Sequence, residues 1–245
     1  MNNPNEQFTA PTPFNIVKMV SYSQAAPEFL EQHELENADL QDLIAFCARV
    51  SNPSNQLNTE TSAKLIKYLI KHKHWSPLEM VSACLEIETT RDIARQILRH
   101  RSFSFQEFSQ RYADPTKDLK KDLKFVTREA RLQDTKNRQN SIITDDEELK
   151  SEWLTLQNQV ITAARLTYEW AIKNGIAKEQ ARAVLPEGLT MSRMYMNGTL
   201  RSWIHYIELR GANGTQQEHM DIAHACARVI ADVFPLANEI FEWDM

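Results

Sequence analysis

Glycine is the scarcest structural resource of this chain. Five glycines occur in 245 residues, and all lie between Gly175 and Gly214. A backbone that wraps closely around phosphates needs positions without a Cβ atom. Neither GxGxxG nor GxxxxGK[ST] can be written from these five, which excludes the Rossmann and P-loop cradles. Any phosphate bound here is gripped by side chains and helix ends. The apolar fraction of 42% is enough for one sizeable core, and charged residues at 25% are ordinary for a globular protein.

The net charge of −5 argues against a general polynucleotide binder, whose affinity comes from neutralising phosphates. No apolar run approaches the roughly 18 residues of a membrane span. The first 13 residues, polar and proline-punctuated, read as a mobile arm rather than a secretion signal, with one domain over 14–245. Cys47, Cys84 and Cys226 are too few and too scattered for a disulfide framework or a zinc site, which fits a reducing cytoplasm. No metal site is expected, since His72 and His74 make a poor pair and HExxH is missing.

Periodicity predicts strands at 14–21 and 81–89 and helices over 39–50, 60–71, 90–99, 199–210 and 216–234. In the helix over 39–50, Leu40, Leu43, Ile44, Cys47 and Val50 form the expected core face. Residues 112–146 read as a long loop with a strand-like piece near Phe125. Thr144 and Glu147 form a capping box that opens a helix running to Gly175, with Trp153, Leu156, Val160 and Ala164 as its core stripe. The expected class is α+β: one domain with a small, mostly antiparallel sheet flanked by helices.

Chemistry concentrates in Arg91–Arg111, RDIARQILRHRSFSFQEFSQR, where five arginines face only Asp92 and Glu107. Gln96, Arg99 and His100 fall at i, i+3 and i+4, one face of the predicted helix. Arg101, Ser102, Ser104, Ser109 and Arg111 follow in what reads as a loop. A planar, permanently charged guanidinium suits phosphate or carboxylate, so this is a nucleotide or cofactor phosphate site. Phe103, Phe105 and Phe108 between the arginines leave an RNA-binding reading open. A second arginine-bearing helix places Arg201 and His205 about 40° apart and Arg210 about half a turn from Arg201.

Arg99-His100-Arg101, seven residues, then Ser109-Gln110-Arg111 resembles RHRx7SxR, the signature of flavin-dependent thymidylate synthases. CARVS (47–51), HWSPLE (74–79), ARAVLP (181–186) and LRSWIHYIELR (200–210) resemble further elements of that family, in its order. The chain departs from the family at Met80, Thr199 and Gly214, where histidine, asparagine and histidine are common.

The resemblance implies reductive methylation of dUMP to dTMP, with 5,10-methylenetetrahydrofolate as carbon donor, FAD as hydride carrier and NADPH as reductant. It implies FAD contacts from Ser76, Arg99, His100, Arg101, Glu107, Thr199, Leu200, Arg201 and His205. His74 is either a further FAD contact or a loop histidine. It implies dUMP contacts from Gln96, Ile97, Leu98, Arg99, Glu107, Phe108, Ser109, Gln110, Arg111, Arg182 and Arg210, with Arg210 the catalytic residue at the uracil. It also implies a homotetramer with sites shared between subunits. No enzyme nucleophile is needed, consistent with three cysteines that lie outside the arginine cluster. The rivals are a flavoprotein oxidoreductase with another nucleotide substrate and an RNA-binding module.

Overall fold

The computed structural model describes residues 16–115 and 125–241; the expected arm over 1–13 lies outside them. The chain is α+β. Its described residues divide into two compact units, one from Glu88–Gln96 and Glu107–Arg193, the other from Ile16–Ile87, Ile97–Gln106 and Met194 onward.

The second unit carries most of a four-stranded sheet of order β1-β2-β6-β3. The strands are β1 (Ile16–Tyr22), β2 (Ser82–Thr90), β3 (Ser104–Glu107) and β6 (Met191–Thr199). Neighbours run antiparallel, because partner numbers fall as residue numbers rise. Ser23 N–H bonds Ser82 C=O while Lys18 reaches Glu86, and Leu200 N–H bonds Val81 C=O while Tyr195 reaches Glu86. β2 alternates as its sequence predicts, burying Ala83, Leu85 and Ile87 beneath half-exposed Ser82, Cys84 and Glu86.

Around this sheet lie α1 (Pro27–Gln32), α2 (Leu40–Ala48), α3 (Ser62–Lys71), α7 (Leu200–Gly211), α8 (Gln217–Ala231) and α9 (Ala237–Ile240). α7 packs on α8, α8 on β1, and α2 on α3. α2 starts where Asp39 and Asp42 exchange side-chain and backbone hydrogen bonds, a reciprocal cap. Its core face differs from the expected one. Leu40, Ile44 and Ala45 are buried, whereas Cys47 and Val50 are exposed. The helix stops at Ala48, and buried Arg49 turns inward to bond Asn58 C=O and the Thr61 hydroxyl.

The first unit holds α4 (Arg91–Ile97) up to Gln96, the hairpin β4 (Arg131–Gln133) with β5 (Ser141–Ile143), α5 (Glu147–Lys173) and α6 (Lys178–Ala181). The hairpin pairs Arg131 with Ile143 and Gln133 with Ser141, so the stretch read as one long loop contains sheet. Phe125, its expected strand-like point, makes an isolated bridge to Thr190.

α5 is capped by Asp146, whose carboxylate accepts from Leu149 N–H at 3.0 Å, and not by Thr144. Thr144 Oγ1 accepts from Asp146 N–H instead and orders the approach. The helix closes as expected at Gly175. Ile176 N–H bonds Ala171 C=O, Gly175 N–H bonds Ile172 C=O, and Gly175 has φ +78°. The stripe expected to be core is only partly so. Ala164 is buried with Gln157, Ile161, Tyr168 and Ala171, but Trp153, Leu156 and Val160 are exposed. These three lie on the flank of a broad apolar arc, turned away from the buried line, and periodicity alone does not say which flank meets the core.

Candidate active site

α4 ends at Ile97, two residues short of the predicted Arg99, so Arg99 and His100 are not on its face with Gln96. They occupy the turn that follows, closed by His100 N–H to Ile97 C=O and Phe103 N–H to His100 C=O. After that turn the chain enters β3 rather than a loop. Phe103 and Phe105, two residues apart, were the available strand signal. Phe103 packs edge-on against Trp203 at 4.8 Å and near Tyr206, so it is core and no stacking platform for a base.

In the second unit, His100 lies against α7. Arg210 Nε–H donates to His100 Nε2 at 2.9 Å. That bond requires an unprotonated Nε2, so the ring is the neutral, Nδ1–H form. Burial, followed by the charges of Arg210 and Arg99, pulls His100 down to about 4, in agreement. The ring stands perpendicular to Tyr206 at 4.9 Å, and Tyr206 Oη lies 3.1 Å from Nε2 of fully buried His219. Burial pulls His219 down to about 3, aided by Arg210 and His100, and pushes the Tyr206 hydroxyl far up. Its spacing from Ile222, Ala223 and Cys226 puts His219 on the buried stripe of α8. Nothing in the spacing could reveal its partner thirteen residues earlier.

The other end of α7 starts at Thr199, whose Oγ1 accepts from Ser202 N–H at 3.4 Å, so this residue caps the helix. Leu200 is buried in the core, leaving only its backbone for a ligand. Arg201 pairs with Glu79, and His205 meets the Trp75 indole edge-on at 4.4 Å. Ser76 sits exposed in the same turn. The two elements, 74–79 and α7, thereby gather Ser76, Arg201 and His205 on one surface. Arg99 and Arg101 are exposed. His74 is also exposed, with its ring 6.3 Å from His72. Ile97 is fully buried and Leu98 half-buried.

In the first unit, Glu107 accepts from Ser192 Oγ at 2.8 Å and faces Arg91 at 3.5 Å. Arg95 grips Glu187 with both carboxylate oxygens in reach, and Arg111 faces Glu179 at 3.5 Å. Three of the five clustered arginines therefore have internal acidic partners, which the sequence did not show. Gln110 is buried, and its Nε2 has no hydrogen-bond partner among the described residues. Ser109 C=O accepts from Tyr112 and Ala113 N–H, shaping a turn around the Ser109 side chain. Phe108 packs on Val126 and Met191, and Arg182 is half-buried. Of the expected dUMP set, Gln96, Glu107, Phe108, Ser109, Gln110, Arg111 and Arg182 belong to this unit, and Ile97, Leu98, Arg99 and Arg210 to the other.

No cysteine has the marks of a nucleophile. Partial desolvation raises the thiols of Cys47 and Cys84, and full burial raises that of Cys226 most. Among the described residues no three His, Cys, Asp or Glu are placed to hold a metal, and no helix is long and apolar enough to cross a membrane.

The chain is similar to known proteins over most of its length. The family described as "thymidylate synthase complementing protein" matches residues 34–236. A probable flavin-dependent thymidylate synthase of Paramecium bursaria Chlorella virus 1 is 48% identical over 83% of this chain and 91% of its own. A flavin-dependent thymidylate synthase of Synechocystis is 48% identical over 82% and 89%. Among solved structures, the UMP/dUMP methylase PolB of Streptomyces cacaoi, bound with 5-Br dUMP, superposes with a TM-score of 0.74. It is 23% identical, covers 93% of this chain and 94% of its own, and attests the fold. With the RHRx7SxR residues at 99–111 in place and this breadth of similarity, the chain belongs to the family of flavin-dependent thymidylate synthases.

Proposed function

We propose that this chain methylates dUMP to dTMP, taking the carbon from 5,10-methylenetetrahydrofolate and reducing equivalents from NADPH, as a homotetramer with shared sites. The observation that carries the reading furthest is the Arg210–His100 bond. It uses Nε–H, so the two Nη groups remain as a planar fork on a guanidinium whose direction is fixed. A uracil deprotonated at N3 spreads charge over N3 and two carbonyl oxygens, and such a fork matches it. His100, held neutral, adds no second positive charge beside Arg210.

The donor set fits FAD. Exposed guanidiniums at Arg99 and Arg101 suit a pyrophosphate, and the Arg201, His205 and Trp75 surface offers charge and aromatic area together. When bound, FAD supplies the hydride that converts the transferred methylene to a methyl group. The protein binds and orients. Ser109 and Arg111 would hold the dUMP phosphate, and Gln110 offers a buried amide donor to the same nucleotide. Glu107, fixed by Ser192 and Arg91, would line that pocket.

The test is the absorption spectrum of the purified protein, before and after dUMP. Flavin bands that shift on adding dUMP, with dTMP formed when NADPH and the folate follow, are expected. A protein that stays colourless after incubation with FAD overturns the proposal. A yellow protein indifferent to dUMP favours an oxidoreductase acting on another nucleotide.

A further inference from the structure

We infer that α5 is an assembly surface, pairing antiparallel with α5 of a second copy across a two-fold axis near residues 161 and 162. The inference rests on the assembly part of the reading above but not on the chemistry. Besides Leu149, and Leu166, which is 58% exposed on another side, four large apolar side chains stand exposed on this helix: Trp153 at 42%, Leu156 at 46%, Val160 at 49% and Trp170 at 61%. With Leu149, Ala163 and Thr167, also exposed, they fall at intervals of four, three, four, three, four and three residues. That is the spacing of a helix–helix seam. The buried line through Gln157, Ile161, Ala164, Tyr168 and Ala171 is separate, roughly 90° around the helix. α5 therefore has two apolar lines, and only one is covered within its own unit.

The order of residues along the exposed line selects its occupant. Read outward from its middle, Val160 mirrors Ala163, Leu156 mirrors Thr167, and Trp153 mirrors Trp170. In an antiparallel pair related by a two-fold, each mirrored residue meets its counterpart on the other copy. Large then faces small at the centre, which lets the backbones approach, and tryptophans meet at both ends. A parallel pair would set Val160 on Val160 and Ala163 on Ala163, alternating crowding with voids. Self-complementarity under a two-fold is what an isologous interface requires. Charge agrees: the first turn carries Glu147 and Glu148 and the last turn Lys173, so antiparallel ends attract and the helix dipoles oppose. At 27 residues α5 is about 40 Å long, enough to present the whole seam. Exposed apolar patches of this kind mark interaction surfaces.

The experiment weighs the full-length protein by light scattering, as wild type, Val160→Glu and Leu156→Glu, with flavin content and far-UV circular dichroism recorded alongside. The wild type is expected to be oligomeric, and each variant to fall to half that mass or less while keeping its helix content. In a Cys47→Ser background, Leu156→Cys with Thr167→Cys should give a cross-linked dimer under mild oxidation, and either cysteine alone should not. Variants that keep the wild-type mass overturn the seam even if the protein is an active enzyme. A monomeric wild type overturns the seam and the assembly together, and leaves the dUMP reading to its own spectrum. Cross-linking by Leu156→Cys alone would favour a parallel pair and overturn the two-fold placement.

Discussion

α7 and α5 are both amphipathic by sequence, but they keep their apolar residues differently. α7 buries seven of its twelve residues, among them Trp203, Ile204, Tyr206 and Ile207, so what it leaves outside is almost wholly polar. α5 buries five of twenty-seven and leaves two tryptophans in the open. A helix buried nearly all round has every side chain's direction fixed, and its few outward groups can be aimed. Arg201, His205 and Arg210 are among those groups, with Glu208 and one exposed leucine, Leu209, beside them. A helix with a bare apolar line is shaped for something outside its own unit. Periodicity reports that an apolar arc exists, and burial reports who owns it.

The sharpest test of the contrast uses one residue type on both helices. Trp203 is fully buried and its Nε1–H bonds Ala83 C=O at 3.0 Å, tying α7 to β2. Trp203→Ala should cost about 3–5 kcal/mol in urea unfolding. Trp170→Ala should cost within about 0.5 kcal/mol of nothing in dilute protein, with any larger loss growing at concentrations where copies assemble. Equal, concentration-independent losses would break the comparison.

Next in size is Arg210. If α7 holds its outward groups in fixed directions, Arg210→Lys keeps the charge, loses the fork and loses the bond to His100. Turnover at saturating dUMP should fall about 10²–10³-fold, or roughly 3–4 kcal/mol, with flavin content unchanged. Near-normal turnover would mean that Arg210 only complements its helix end.

The smallest effect concerns pH. His100 and His219 titrate near 4 and 3 in the folded state, below the ordinary histidine value near 6.5. The unfolded chain therefore takes up protons that the folded chain refuses. Their contribution to stability is complete above about pH 6.5 and is lost as pH falls toward those values. Thermal midpoints should drop from pH 7 to pH 5, and His219→Gln should flatten the slope. An unchanged slope would show that His219 is not held neutral.

Much of this was legible in the residues. The alternation of β2 and the arginine motif at 99–111 could be read directly, because each depends on spacing within one short segment. Cys47, Val50 and the Trp153 stripe were misplaced because periodicity fixes neither the edge of an arc nor the end of a helix. Cys47 and the Trp153 stripe lie at the edge of an apolar arc, where a few tens of degrees decide between core and surface, and Val50 lies beyond Ala48, where the helix has already ended. The fate of Arg91, Arg95 and Arg111 was hidden because their acidic partners Glu107, Glu187 and Glu179 lie 16 to 92 residues away. The hairpin at 131–143 escaped because strands of three residues carry too little alternation to register.

Gly198 has an outcome larger than its size. A Cβ built there would come within 2.4 Å of the Phe103 ring, far closer than contact allows. A single added methyl would lift that ring off Trp203 and Tyr206, and Tyr206 is the wall on which His100 rests. Position 198 touches no expected ligand, yet its tolerance to mutation is set by Arg210, four links along the same chain of contacts. Damage at such a site would be misread as a folding defect alone, although the aim of one guanidinium goes with it.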